Sequence, residues 1–207
     1  MVELQETRFA LPIEITPMRE IDVHHLARIH FEALPNDFLP SLGLPFLERL
    51  YYPAVLNSAH AATFVVRTDQ PVGFVTVAGD SPAFSREVLA GRRFALMGYA
   101  LRRALGNPLH LVQSAQVLGA ALRLGTDPIA AEIVFIAVDG PYRGQGIGQA
   151  LVQAALGHLR RLAVTACRTK TLAENAGVIS LYEKMGWHVR DRFRFLAKNY
   201  VNLAVKL

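Results

Sequence analysis

Between Asp139 and Gly148 the chain reads DGPYRGQGIG, and those residue types suit one task, which is to bring bare backbone against an anion. Gly144, Gly146 and Gly148 alternate with Gln145 and Ile147. Without Cβ atoms the main chain turns tightly and approaches a ligand closely, so N–H groups and the positive end of a following helix converge on one site. The expected occupant is a pyrophosphate. A Walker loop would end in Gly-Lys-Ser or Gly-Lys-Thr, whereas Gly148 is followed by Gln149 and Ala150, which argues against nucleoside triphosphate hydrolysis. The G-x-G-x-x-G spacing of a dinucleotide fold is not met either.

Glu132 is the second candidate. It precedes the apolar run Ile133 to Val138, so its carboxylate is expected at the rim of a buried sheet, where partial desolvation raises the pKa toward that of a general base. A solvated charge at a strand end is the open alternative. The seven histidines are scattered, and His24, His25 and His30 offer no spacing that sets two of them with a carboxylate on a metal-binding face. No metal is expected. Cys167 is the only cysteine, which excludes an intrachain disulfide, and on a buried strand it reads as core.

These residues need a strand, a loop and a helix in line. Ile133 to Val138 is apolar, β-branched and of strand length, expected as a central strand covered on both faces. The helix starts near Ile147. Upstream, the pattern gives a strand over Glu14 to Met18, a helix from Ile21 through Ala33, a broken stretch from Leu34 to Pro45 and a helix over Phe46 to Leu56. A hairpin of Ala62 to Thr68 and Val72 to Ala78 follows. Downstream come a strand over Ala163 to Thr171, a short helix capped by Asn175 and ended by Gly186, and strands over Trp187 to Phe195 and Tyr200 to Leu207. The order predicts an α/β chain of the α+β type, with a mixed, mostly antiparallel sheet flanked by helices.

The stretch from about 81 to 128 interrupts that order before the central strand. Phe84 to Leu105 and Leu109 to Leu124 read as two helices around Gly106-Asn107-Pro108, a helical insertion. Between Phe84 and Thr126, Arg86, Arg92, Arg93, Arg102, Arg103 and Arg123 stand against the single acid Glu87, and this surplus equals the whole net charge of +5. Basicity so localised is no sign of nucleic acid. With 207 residues, 52% hydrophobic and 19% charged, the chain is expected to form a single domain over 1–207 with a substantial core. Met1 to Phe9 carries no secretory signal, and Asn107, Pro108, His110 and Gln113 break the uncharged stretch that could otherwise suggest a membrane span. A cytoplasmic location is expected.

Two motifs carry a resemblance. Arg143, Gly146 and Gly148 fall at the fixed places of R-x-x-G-x-G after a strand ending in Ala137-Val138, and Asn175 to Trp187 reads NAGVISLYEKMGW, with Asn, Tyr seven residues on, and a Gly-aromatic pair. Together they resemble the GCN5-related N-acetyltransferases over residues 132 to 188, and the first 80 residues agree in pattern. Val178 departs from the small residue usual in that family. The resemblance implies an N-acetyltransferase that passes an acetyl group from acetyl-CoA to a primary amine by direct attack in a ternary complex. It implies that Ile136, Ala137 and Val138 hold the thioester and pantetheine, that Arg143, Gly144, Gln145, Gly146, Ile147, Gly148 and Gln149 hold the pyrophosphate, and that Asn175 lies on the cofactor side. Glu132, in Glu132-Ile133-Val134-Phe135, takes the place of the histone acetyltransferases' general base. Tyr182 takes that of the acid that protonates the CoA sulfur. In that family the segment between the first two helices borders the acceptor site, which implies such a place for Phe38, Leu39 and Leu42; a core role for them is the open alternative.

Such a transfer has three needs. The amine must lose a proton, since only about one in two thousand is neutral at pH 7; the thioester oxygen needs donors as it gains charge; and the thiolate is helped by a proton. The expected partner is a small-molecule amine or peptide acceptor with an anionic or neutral body, and homodimer formation is left open. Two alternatives stand beside the enzyme: a non-catalytic acyl-CoA-binding or regulatory module, which needs neither Glu132 nor Tyr182, and an interaction protein that docks through the basic helices.

Overall fold

β-branched and aromatic residues at Ala61–Arg67 (β2) and Pro71–Ala78 (β3) give the second and third strands of a seven-stranded sheet, ordered β1-β2-β3-β4-β5-β7-β6. The computed structural model describes residues 13–35, 37–89, 98, 127–195 and 198–207. β1 (Glu14–Pro17) edges the sheet, β4 (Glu132–Val138) and β5 (Ala166–Leu172) lie at its middle, and β6 (His188–Phe195) and β7 (Lys198–Lys206) close it. All neighbours pair antiparallel except β4 and β5. That parallel pair requires a crossover, and the helix α5 (Ile147–Arg161) supplies it.

Helices cover both faces, so the sheet has a core on each. On one face α5 and α6 (Ala176–Lys184) bury Leu151, Leu159 and Tyr182 against Val75, Ile133 and Cys167. On the other, α1 (Val23–Ala33), α2 (Phe38–Ser41) and α3 cover Val65, Phe74 and Ala137. α3 joins three pieces, Leu44–Phe46, a π turn at Leu47–Tyr51 and Tyr52–Leu56. Helical spacing predicted that helix, but the widened turn leaves no mark in a 3.6-residue pattern.

Two elements start three residues away from where the sequence reading puts them. The strand expected from Ala163 begins at Ala166. Ala163 sits at φ 55° and ends α5, its N–H bonding to the Arg160 carbonyl and that of Val164 to Leu159, the arrangement in which glycine is usual. The helix expected from Phe84 starts earlier, as α4 (Ser81–Leu89), because Asp80 accepts a hydrogen bond from the Ala83 N–H at 2.9 Å. Apart from residue 98, the rest of the helical insertion, with its second helix and Arg92, Arg93, Arg102, Arg103 and Arg123, lies outside the described residues. Among the described residues no helix is long and apolar enough to cross a membrane.

Candidate active site

The ladder between β4 and β5 is short: only Glu132 with Arg168 and Ile133 with Thr169 are in register. Two features mark its end. On the β3 side, Phe135 pairs with Thr76 and Ile133 with Val77, which leaves Val134 as the extra residue of a β-bulge that bends β4. On the β5 side, the Ile133 carbonyl at the last registered pair also accepts from the Thr169 hydroxyl at 3.1 Å. From Val134 onward β4 leaves β5, so its edge has backbone groups free to meet a ligand. β4 is covered on both faces, Ile133, Ile136 and Val138 packing in one core and Val134, Phe135 and Ala137 in the other, but Val134, Phe135 and Ile136 are only half-buried where the strands part. Ile136, Ala137 and Val138 all lie on this stretch.

At the far end of β4, Asp139 accepts from its neighbour Gly140 N–H at 2.8 Å and starts a tight turn. Gly144 at φ 76° and Gly146 at φ 80° take the left-handed conformation that favours glycine, and Gly146 caps α5 with no side chain to bond its first N–H groups. Those of Ile147, Gly148 and Gln149 are the donors a helix start leaves without intrahelical partners. Nothing lies within 4 Å of where a Cβ on Gly144 would stand, whereas one on Gly148 would meet Leu181 at 3.3 Å. Gly148 therefore lets α5 and α6 approach, a packing role besides the one expected. Arg143 donates from Nε to the Val138 carbonyl at 2.9 Å, and Gln145 from Nε2 to Pro141 at 3.2 Å. Both tie the loop to itself. Asn175 caps α6 by accepting from Val178 N–H.

Glu132 opens β4 on the α1–α3 side, opposite Ile133. Its environment differs from the expected rim. The residue is 2% exposed, its Oε1 takes Lys170 Nζ at 2.9 Å, and its Oε2 takes Arg168 at 2.8 Å and the Ser81 hydroxyl at 2.6 Å. Burial alone pushes the carboxyl up, but Lys170, Arg168 and the Ser81 bond outweigh it and hold the pKa below the usual carboxylate range. The expected upward shift is thereby corrected: on strands, residues two apart share a face, so Arg168 and Lys170 both reach back to Glu132. Arg168 also meets Asp127 at 3.1 Å, and Arg190 meets Asp127 at 3.0 Å.

Tyr182 sits on the other face, 1% exposed, edge-on to Trp187 with ring centroids 4.8 Å apart. Burial raises its pKa; the Thr169 hydroxyl offsets a part without making a hydrogen bond of good geometry. Its own hydroxyl and Trp187 Nε1 are buried without partners. Glu132 and Tyr182 thus flank the gap from opposite sides. Of the expected acceptor-side residues, Leu42 is buried in the α1–α3 core and Leu39 packs on it; the Phe38 side chain lies outside the described residues.

The sequence reading missed Arg168, Lys170 and Ser81, although a cationic pair two residues apart on a strand was a signal for them. It also missed a buried aromatic group beside Phe135. His30 Nδ1 is 2.9 Å from the Tyr52 hydroxyl, its ring centroid is 4.6 Å from that of Phe135, and burial lowers its pKa to about 3. His30 Nε2 and the neighbouring Tyr51 hydroxyl have no partner. Among the described residues no group of three or more His, Cys, Asp or Glu is placed to hold a metal ion.

Comparison with known proteins agrees with this geometry. The described sheet and helices resemble ribosomal-protein-alanine N-acetyltransferase from Brucella melitensis (TM-score 0.62, 16% identity, 94% of this chain and 99% of that one). They also resemble Arabidopsis thaliana NAA60 in complex with acetyl-CoA (TM-score 0.59, 15% identity, 95% and 99%). Mycothiol acetyltransferase of Kocuria rhizophila is 32% identical over 73 residues, 34% of this chain and 24% of its own length, so the chain spans about a quarter of that curated relative. A family model described as acetyltransferase (GNAT) family matches residues 30–187. With its glycine-capped helix, its bulged strand and a family match over most of its length, the chain belongs to the GNAT acetyltransferases.

Proposed function

We propose that the protein transfers an acetyl group from acetyl-CoA to a primary amine of a small molecule or peptide by direct attack in a ternary complex. The observation that carries this reading is the gap opened where β4 leaves β5 after Ile133 and Thr169, running from the α5 N-terminus to a carboxylate and a phenol on opposite faces. Acetyl-CoA supplies the activated acyl group as a thioester. The N–H groups of the Arg143–Gln149 segment bind its pyrophosphate, with Gly144 leaving room for close approach. Along the stretch Ile136, Ala137 and Val138, Ala137 pairs with Phe74 of β3, and the N–H groups near Ile136 and Val138 on the open edge hydrogen-bond the pantetheine and polarise the thioester oxygen. Asn175 shapes that side by fixing the start of α6.

Glu132, kept ionised by Lys170 and Arg168, takes the amine's proton as the C–N bond forms, when the nitrogen becomes strongly acidic, rather than beforehand. Tyr182, protonated far above neutral pH, gives its unpartnered hydroxyl proton to the departing sulfur. The curated relative is named for a small-molecule thiol, mycothiol, and solved neighbours for a protein alanine, which supports keeping both acceptor classes.

The test is a screen of amines and peptides for release of CoA thiol, with calorimetry of acetyl-CoA binding. Tyr182→Phe should lose on the order of 10²–10⁴ in turnover with binding unchanged. Binding without turnover on any acceptor would leave only the acyl-CoA-binding module.

A further inference from the structure

Lys170 already holds the oxygen of Glu132 that, in the acetyl-transfer reading, takes the acceptor's proton. It is the first β5 residue beyond the last pair with β4, its side chain is 43% exposed, and its Nζ lies 2.9 Å from Glu132 Oε1. Charged groups face it from several elements: Glu132 on β4, Arg168 on its own strand, and Asp37 at the start of α2, which also feels Lys198 of β7. The proposed base and the mouth of the gap are thus already occupied by an accessible primary amine of the protein itself.

We propose that Lys170 is a self-acetylation site, its Nζ attacking the thioester when no acceptor is bound. This rests on the acetyl-transfer reading above. In the step, the Lys170 nitrogen forms a bond to the acetyl carbon and the carbon–sulfur bond breaks. The neutral amine loses one proton to Glu132 and the thiolate takes one from Tyr182; exchange with solvent then returns the carboxyl to carboxylate and the phenolate to phenol, leaving free CoA and an uncharged acetamide. No oxidant or further reactant is needed. A lysine attacks only as the neutral amine, a minor form near neutral pH, so the reaction is slow there and quickens as pH rises. Modification removes one of the two cations on Glu132, leaving Arg168 and the Ser81 hydroxyl. The carboxylate then becomes a better proton acceptor, so self-acetylation would retune the site.

The experiment incubates the full chain with acetyl-CoA alone, near pH 7 and near pH 9, and follows intact mass and acetylated peptides. One acetyl group should appear on Lys170 about ten-fold or more faster than on exposed Lys184 and Lys206, because its amine is held at the thioester. The first-order rate should not depend on protein concentration. K170R, which keeps a cation beside Glu132, should lose the fast addition. Equal rates at the three lysines, a rate that scales with protein concentration, or fast addition that survives in K170R would each overturn the proposal. Calorimetric binding of acetyl-CoA with Lys170 left unmodified overturns this inference alone, whereas absence of binding overturns the acetyl-transfer reading and this inference with it.

Discussion

On the α5–α6 side of the gap Tyr182 is enclosed by apolar side chains and its hydroxyl has no partner; on the α1–α3 side both oxygens of Glu132 are taken, by two cations and a serine. Both groups are almost wholly buried. An unpaired buried hydroxyl costs stability and is free to act, whereas a saturated carboxylate is fixed in place and in charge. The phenol is therefore free to deliver a proton as it stands, whereas the carboxylate holds its charge and geometry and takes a proton only as one of its present partners gives way.

The sharpest way to break that contrast is to unbalance the carboxylate. Arg168→Met should destabilise the fold by about 3 to 5 kcal/mol, since it leaves a buried charge short of its partner, as read from urea unfolding. A loss below about 1 kcal/mol, the range of exposed pairs, would mean that Lys170 alone balances Glu132.

A smaller effect tests the neutral member of the same side. His30 has a folded pKa of about 3, below its unfolded value of about 6.5, so between those values the unfolded chain binds a proton the folded one refuses. The stability this contributes is complete above about pH 6.5 and is lost as pH falls toward 3. His30→Leu should flatten the slope of stability between about pH 4.5 and 6.5, a window above the unfolded carboxylate pKa values, leaving the part due to His158, whose pKa burial also lowers. Melting temperatures across that window would show it; an unchanged slope would mean that His30 is protonated in the fold.

The smallest effect sharpens the phenol side. Tyr182→Phe removes a hydroxyl with no partner, so stability should stay within about 0.5 kcal/mol or rise, measured in the same urea series. A loss above about 1 kcal/mol would show that the hydroxyl is bonded in the fold.

What the sequence disclosed follows the range of its signals. β2, β3 and β4 were legible because β-branched runs write their own boundaries, and the Gly144–Gly148 loop because left-handed turns require glycine. Asn175 and Gly186 were legible as caps for the same local reason. Glu132 was legible as a position but not as an environment. Its cations come from 36 and 38 residues further along, across a parallel crossover, and a strand end looks equally solvated until its neighbour strand is known. The bulge at Val134 and the π turn before Tyr52 were hidden because each inserts one residue without changing the hydrophobic pattern.

Among the described residues only two registered pairs join β4 to β5 in the ladder, and the bonds of Glu132, Asp127 and the Ile133 carbonyl to β5 and β6, together with the α5 crossover, bridge the same line. Such a seam is a compliant line in an otherwise stiff plate, where thermal breathing concentrates. Amide hydrogen exchange should reflect it: Arg168 N–H, bonded to the Ala131 carbonyl at 3.0 Å, should exchange by local opening well before the amides shared by β2 and β3, and a ligand spanning both halves should slow it most.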